Sequence, residues 1–477
     1  MRNNLISARV PVTAVALFVA LGVFLKGPAA APLSPLSTDA TLQSVASGVA
    51  GAIRSRAVAI DVATLPDPRV RAQLAREPGL TLELFPDAFV DAVFDRFDAN
   101  ADGVTWVGHV SGAPLSAVTL VYGGGLLAGT LSTPDGQFQI RPASEAARLA
   151  NPQASGQMHL ITQIDTSQLP PEAEPVEVVL PDADGLSTAD AATMADSAGV
   201  IDVMVIYTAT AQLHAGSQAA MLNLINLSIS ETNTSYANSD VVQRLRLVHT
   251  APVTYTEVSS FGTNLSRVRS GSGTGLGGVE ALRNQYGADL VAMLIHPTSP
   301  SACGIAYVMT TVSTAFEPFG YSVTDTACLS PNYTFAHELG HNMGAQHDWY
   351  VSTATRPFTY AHGYANPAVG ARWRTIMSYN DQCSVQGFSC SRLLAWSNPE
   401  NRLTTPCLGG AFRCLPQLWF LPGVPPPLGV VEGTRTDCGP GNLDTGCDAD
   451  NRRTLNNTAL TIANLRTSVA STTSDRR

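Results

Sequence analysis

Phe335-Ala336-His337-Glu338-Leu339-Gly340-His341-Asn342-Met343-Gly344-Ala345-Gln346-His347-Asp348 is the stretch on which the reading of this chain turns. It has the form HExxHxxGxxHD. His337 and His341 are four residues apart, so one face of a helix presents both imidazoles to one metal ion. Glu338 lies beside them, placed to reach a metal-bound water rather than the metal. Gly344 lets the helix stop and the chain turn back. His347 then brings a third nitrogen from outside the helix. Three neutral imidazoles leave one coordination position open. That is the arrangement of a catalytic zinc, since structural zinc is closed by four protein ligands.

Some thirty residues further on stands Trp373-Arg374-Thr375-Ile376-Met377-Ser378-Tyr379. With the histidine motif, this segment resembles the Met-turn of the metzincin zinc endopeptidases. Met377 then corresponds to the methionine that floors the zinc site. The wording of the motif is closest to the reprolysin-like branch, in which Asp348 matches the aspartate after the third histidine and braces the site. Cys303-Gly304-Ile305-Ala306-Tyr307, Ser397-Asn398-Pro399 and Asp450-Asn451-Arg452-Arg453 extend the similarity to secreted bacterial peptidyl-Asp metallopeptidases. One departure stands out: snake-venom-type reprolysins carry Cys before the Ile-Met pair, and here the residue is Thr375. Tyr379 resembles the tyrosine that binds zinc or steadies the oxyanion in astacins and serralysins; the alternative is a packed aromatic.

The resemblance implies a mixed α/β (α+β) catalytic domain with a twisted sheet and an active-site helix. Glu338 acts as general base, and the segment Gly304 to Tyr307 forms an edge strand for an extended substrate. It also implies cleavage before Asp, which calls for a cation in the specificity pocket. Arg372, Arg374, Arg392 and Arg402 are the nearby candidates; an apolar pocket is the rival. A binding protein on the same scaffold is the alternative from another class, and loss of Glu338 would have favoured it.

The rest of the chain sets the frame. Its 477 residues suit two or three domains. With 45% hydrophobic and 14% charged residues it is not a disordered composition. A net charge of -10 argues against binding nucleic acid and leaves proteins or peptides as partners. Lys26 is the sole lysine, which excludes Schiff-base and P-loop chemistry. Arg2 and Arg9 precede the apolar run Val10 to Leu25 and the small residues Ala29 to Ala31, the pattern of a signal peptide over residues 1–31. Export to the periplasm or the medium follows, and a membrane contact only if that segment stays uncleaved.

The eight cysteines begin at Cys303. Their gaps suggest Cys303–Cys328, Cys383–Cys390, Cys407–Cys414 and Cys438–Cys447 bridges in an oxidising compartment. Residues 32 to about 60 are Ala/Ser/Pro-rich and read as poorly ordered. Strand-like alternation at Trp106–Val110 and Val118–Tyr122, with turns at Gly123–Gly125 and Pro134–Gly136, marks a small β-rich unit ending near 167. Residues 168–197 carry seven acidic groups and no basic one, and read as a solvated linker. The catalytic domain spans 198–477. Ile201–Tyr207 and Leu290–Ile295 read as buried strands, Met221–Tyr236 and Val279–Tyr286 as helices, and Thr454–Ser468 as a closing helix. Residues 32–197 read as a pro-segment without a cysteine to latch the zinc. Asp98 to Gly103 imitates a calcium loop, but its twelfth position is His109 rather than Glu, so a β-turn is expected and calcium lacks its bidentate ligand.

Overall fold

The computed structural model describes residues 49–60, 79–100, 103–113, 116–143, 158–180, 199–368, 372–400, 438–443 and 446–469. Residues 1–31, the acidic run from Asp182 to Asp196, Arg402, the Cys407 and Cys414 pair and the loop with Trp419 and Phe420 lie outside them.

The β-rich unit is an eight-stranded antiparallel sheet: β1 (Ala52–Ala59), β2 (Leu80–Phe85), β3 (Ala88–Asn100), β4 (Gly103–Val110), β5 (Ala117–Gly123), β6 (Leu126–Thr133), β7 (Gly136–Pro142) and β8 (Met158–Ile164). The order is β1-β8-β7-β6-β5-β4-β3-β2. Gly124 and Gly125 both have positive φ, as a two-residue hairpin between twisted strands requires. The start of this unit differs from expectation. Residues 52–59 form an edge strand that pairs with β8 rather than a disordered lead. Val58 is fully buried there, and that apolar anchor outweighs the low-complexity composition around it.

The second sheet has six strands: β9 (Val176–Val178), β10 (Val200–Thr208), β11 (Arg244–Val253), β12 (Leu290–Ile295), β13 (Gly304–Met309) and β14 (Tyr321–Asp325). Their order is β11-β10-β12-β14-β13-β9. β10, β11, β12 and β14 are parallel, and β13 runs antiparallel to β14. β10 and β12 are apolar without alternation because both faces are covered. Helices α1 (Ala209–Ala215) and α2 (Gln218–Asn238) follow β10. Ser217 caps α2 by accepting from the Ala220 amide. Helices α3 (Phe261–Ser270) and α4 (Val279–Tyr286) precede β12.

α2 is buried along most of its length because it has neighbours on both sides. Asn223 donates to the carbonyls of Gly123 and Leu126 in the first sheet. On the other side Tyr236 packs against Trp396. Ala117, Val121, Leu126 and Ala128 of the first sheet thereby join the core built around the second sheet.

Helix α5 (Thr334–Asn342) carries the histidine motif and lies against β13 and β14. Asn342 fixes its end by donating to the carbonyls of Tyr307 and Tyr321 at 2.8 and 3.1 Å. A small sheet of β15 (Ala365–Asn366), β16 (Trp373–Arg374) and β17 (Ser391–Arg392) lies beyond it. The short helix α6 (Asp381–Ser384) connects β16 and β17. The closing helix α7 (Asn451–Ile462) starts and ends earlier than its apolar spacing suggests; Asp450 caps it by accepting from the Arg453 amide. The Cys303–Cys328, Cys383–Cys390 and Cys438–Cys447 bridges form as expected.

Trp396 ties these parts together. It is fully buried, its indole N–H donates to Ser235 of α2, and its ring lies under Gly340 of α5. Trp396→Ala is predicted to cost about 3–5 kcal/mol of stability. A denaturant midpoint equal to that of the wild type would contradict this packing.

Candidate active site

Helix α5 presents His337 and His341 on one face, and the turn after it returns His347 to the same point. Gly344 makes that turn with φ +89. The three Nε2 atoms lie 3.0 to 3.2 Å apart. The opposite nitrogens are held: His337 Nδ1 donates to the Ile376 carbonyl at 2.9 Å and His341 Nδ1 to the Ala345 carbonyl at 2.8 Å. That fixes the tautomers and leaves the Nε2 lone pairs facing inward. Burial pushes His337 down to about 3 and His341 well below the ordinary value, so both are neutral. Nitrogens bonded to one zinc at about 2.0–2.1 Å would lie about 3.3 Å apart. The spacing and burial of the triad fit such an ion.

Glu338 is fully buried, and neither carboxylate oxygen has a hydrogen-bond partner. Burial raises its pKa well above the usual range, and the nearby Glu172 carboxylate adds to this. An orphaned carboxylate is costly unless a donor enters the site, and a metal-bound water supplies one. Gly304 of β13 makes room for it: a methyl group there would meet the Glu338 carboxylate at 2.5 to 2.8 Å.

The Met-turn lies below the triad. Met377 is fully buried, and a methyl group at Gly340 would lie 2.9 Å from its sulfur. The Asp348 carboxylate accepts from the amides of Tyr379 and Tyr350 at 2.8 and 3.1 Å. It thus joins the third-histidine turn to the Met-turn. Burial raises the Asp348 pKa to about 6. The Tyr379 ring lies 4.3 Å from His347, and its hydroxyl donates to the Glu172 carbonyl at 2.6 Å. The eight residues singled out in the sequence therefore converge. His362 supports them by engaging the His347 carbonyl through Nδ1. His109, His159, His214, His249 and His296 are held by partners elsewhere.

Two features were not readable from the motif. The expected solvated linker is, over residues 170–178, an ordered strip against β13. Its Glu172 is 5% exposed. The reason is a buried ion pair: Glu172 meets Arg392, itself 1% exposed, in a two-pronged contact of 2.5 and 3.1 Å. Burial favours the neutral acid, but Arg392 outweighs it and holds Glu172 well below the usual carboxylate range. The second feature is which arginine counts. Arg374 is also buried and donates to the Ser378 and Cys390 carbonyls, whereas Arg372 lies exposed over Phe388. The flanking Pro170, Pro171 and Pro175 are the one sequence signal of a preset extended strip.

Residues 197–401 match the family described as Metallo-peptidase family M12B Reprolysin-like. The chain is 31% identical over 397 residues to the peptidyl-Asp metalloendopeptidase of Stenotrophomonas maltophilia (strain R551-3), covering 78% of this chain and 88% of that one. It is 31% identical over 292 residues to the protein of that name from Xanthomonas campestris pv. campestris, covering 60% and 63%. With the Pseudomonas fragi protein of that name it shares 33% over 171 residues, or 36% of this chain and 83% of that one.

The purified chain is predicted to bind one divalent ion, and His341→Gln to lower metal affinity at least about 10-fold. Metal analysis after dialysis checks this; equal retention would contradict it. Gly304→Ala is predicted to keep the metal but displace Glu338, which a crystal structure of that variant checks directly.

Proposed function

The chain belongs to the reprolysin-like M12B metallopeptidases and is a zinc metalloendopeptidase, and from that premise we propose that it is exported as a zymogen and cuts peptide bonds before acidic residues. The observation that carries the catalytic part is Glu338, a buried carboxylate without a partner beside three inward-facing Nε2 atoms.

His337, His341 and His347 would hold the ion. Bound zinc supplies Lewis acidity, lowering the pKa of a water molecule toward about 7 and polarising the scissile carbonyl. Glu338 takes the proton from the attacking water and passes it to the departing amine. Its raised affinity for a proton suits both halves of that task. β13 offers backbone groups to an extended peptide. The Tyr379 hydroxyl donates to the Glu172 carbonyl, and once freed of it would steady a developing oxyanion. Met377 and Asp348 keep the triad and Tyr379 in register.

The preference for an acidic residue after the cut rests on Arg392, a buried guanidinium next to the reacting groups. Latency rests on residues 170–178, which occupy β13 where a substrate would lie. On this reading residues 32–197 are the pro-segment and 198–477 the enzyme. Export rests on the N-terminal pattern of residues 1–31 and on three disulfides, which persist in oxidising compartments. No helix among the described residues is long and apolar enough to cross a membrane.

Glu338→Gln is predicted to retain zinc and lose about 10²–10⁴-fold in kcat/KM. Undiminished turnover by a zinc-loaded variant would sink the mechanism. Tyr379→Phe is predicted to lose about 10²-fold, mostly in kcat. The active form should be smaller than the exported chain by mass spectrometry; equal masses would contradict the zymogen.

A further inference from the structure

Glu172 precedes the region that matches the family, which begins at residue 197, yet its carboxylate accepts four hydrogen bonds from that region. Oε1 accepts from Arg392 at 2.5 Å, from the Asn332 amide at 3.2 Å and from the Thr334 hydroxyl at 3.1 Å. Oε2 accepts from the second Arg392 nitrogen at 3.1 Å. This is the planar, two-pronged recognition that guanidinium gives a carboxylate, with two neutral donors added.

The donors are held independently of their guest. Arg392 also donates to the Asn332 carbonyl at 2.8 Å and to the Ser378 carbonyl at 3.2 Å. The Asn332 amide donates to the Thr334 hydroxyl at 3.0 Å. Thr334 opens helix α5, one turn before His337, and Ser378 sits between Met377 and Tyr379. The carboxylate site therefore joins Arg392 of β17 to the start of α5 and to the Met-turn.

The strip that delivers Glu172 lies along β13 as a peptide ligand would. The Cys303 amide donates to the Pro171 carbonyl at 2.9 Å, and the Ala173 amide to the Gly304 carbonyl at 2.8 Å. β9 continues the pairing parallel to β13, from Tyr307 opposite Val176 to Met309 opposite Val178. The Tyr379 hydroxyl is occupied by the Glu172 carbonyl, so the strip also blocks that hydroxyl while it is in place.

Charge completes the argument. Arg392 and Arg374 are both buried and share the Ser378 carbonyl. Removing the strip would leave two buried cations and take away the carboxylate bound to Arg392. Such a site strongly favours an incoming anion. A purely structural ion pair would join segments that stay together in the active enzyme. On the zymogen reading above, this one joins the catalytic part to the segment that is released.

We propose that Arg392, Asn332 and Thr334 form the pocket that reads an acidic side chain of the substrate, and that Glu172 fills this pocket as a tethered surrogate until the strip is released. This rests on the endopeptidase and zymogen readings above. It adds which residues choose the substrate and why the intact chain is silent.

The test uses full-length chain allowed to process, with paired peptides differing only in Asp or Asn after the cut. Zinc content is measured in every variant as proof of an intact site. In wild type the Asp peptide is preferred. In Arg392→Gln the Asp-to-Asn ratio of kcat/KM falls at least about 30-fold, and in the milder Thr334→Val about 10-fold. A synthetic peptide of residues 168–180 inhibits the processed enzyme, and its Glu172→Gln counterpart inhibits at least about 30-fold less. An unchanged ratio in either zinc-loaded variant, or equal inhibition by the two peptides, overturns the proposal. A wild type that cuts both peptides equally overturns the pocket and leaves the endopeptidase standing. A wild type that cuts neither overturns the endopeptidase reading itself.

Discussion

Three imidazole nitrogens with inward lone pairs, 3.0 to 3.2 Å apart in a buried site, repel one another unless a cation joins them. The surrounding structure is arranged to hold that geometry. The Ile376 and Ala345 carbonyls fix two rings by their outer nitrogens. Asn342 pins the helix to β13 and β14, while Trp396 and Met377 fill the space under Gly340, where a methyl group would not fit. Asp348 couples the third histidine to Tyr379. These contacts place in advance what an open-sided metal site needs, so little reorganisation accompanies catalysis.

Local pattern made the catalytic half readable. Helical spacing of two histidines, a glycine at the turn and a third histidine are constraints within a dozen residues, and the triad forms as that spacing requires. The apolar run of β12 and the spacing of α4 match their elements end to end, because burial on both faces, or a glycine stop at Gly287, sets the limits locally. The closing helix was placed less well. Its apolar spacing runs past Ile462, but Asp450 sets its start and the chain leaves helical geometry after Ile462.

The pairing of Glu172 with Arg392 was not readable, and the reason is physical. The partners are 220 residues apart, and each alone looks like an ordinary surface charge. An acidic, proline-flanked run normally stays in water. Here each charge is buried only because the other is there, so burial could not be inferred from either residue. The same holds for β1, whose low-complexity surroundings hide the buried Val58 that seats it. The first sheet's contacts with α2, through Asn223, are long-range in the same way.

The molecule thus contains two opposite electrostatic demands side by side. The triad is a set of inward-facing nitrogen donors suited to a cation, and Arg392, beside the buried Arg374, is a buried positive group paired with the Glu172 carboxylate. A peptide with an acidic residue next to its scissile bond meets both demands at once. The measurement that tests this most directly is digestion of a proteome-derived peptide mixture by the processed chain, with and without a chelator, and with zinc restored. The account predicts cuts concentrated before Asp and Glu, abolished by the chelator and recovered with zinc. Cuts that survive chelation, or that fall before apolar residues, would contradict it.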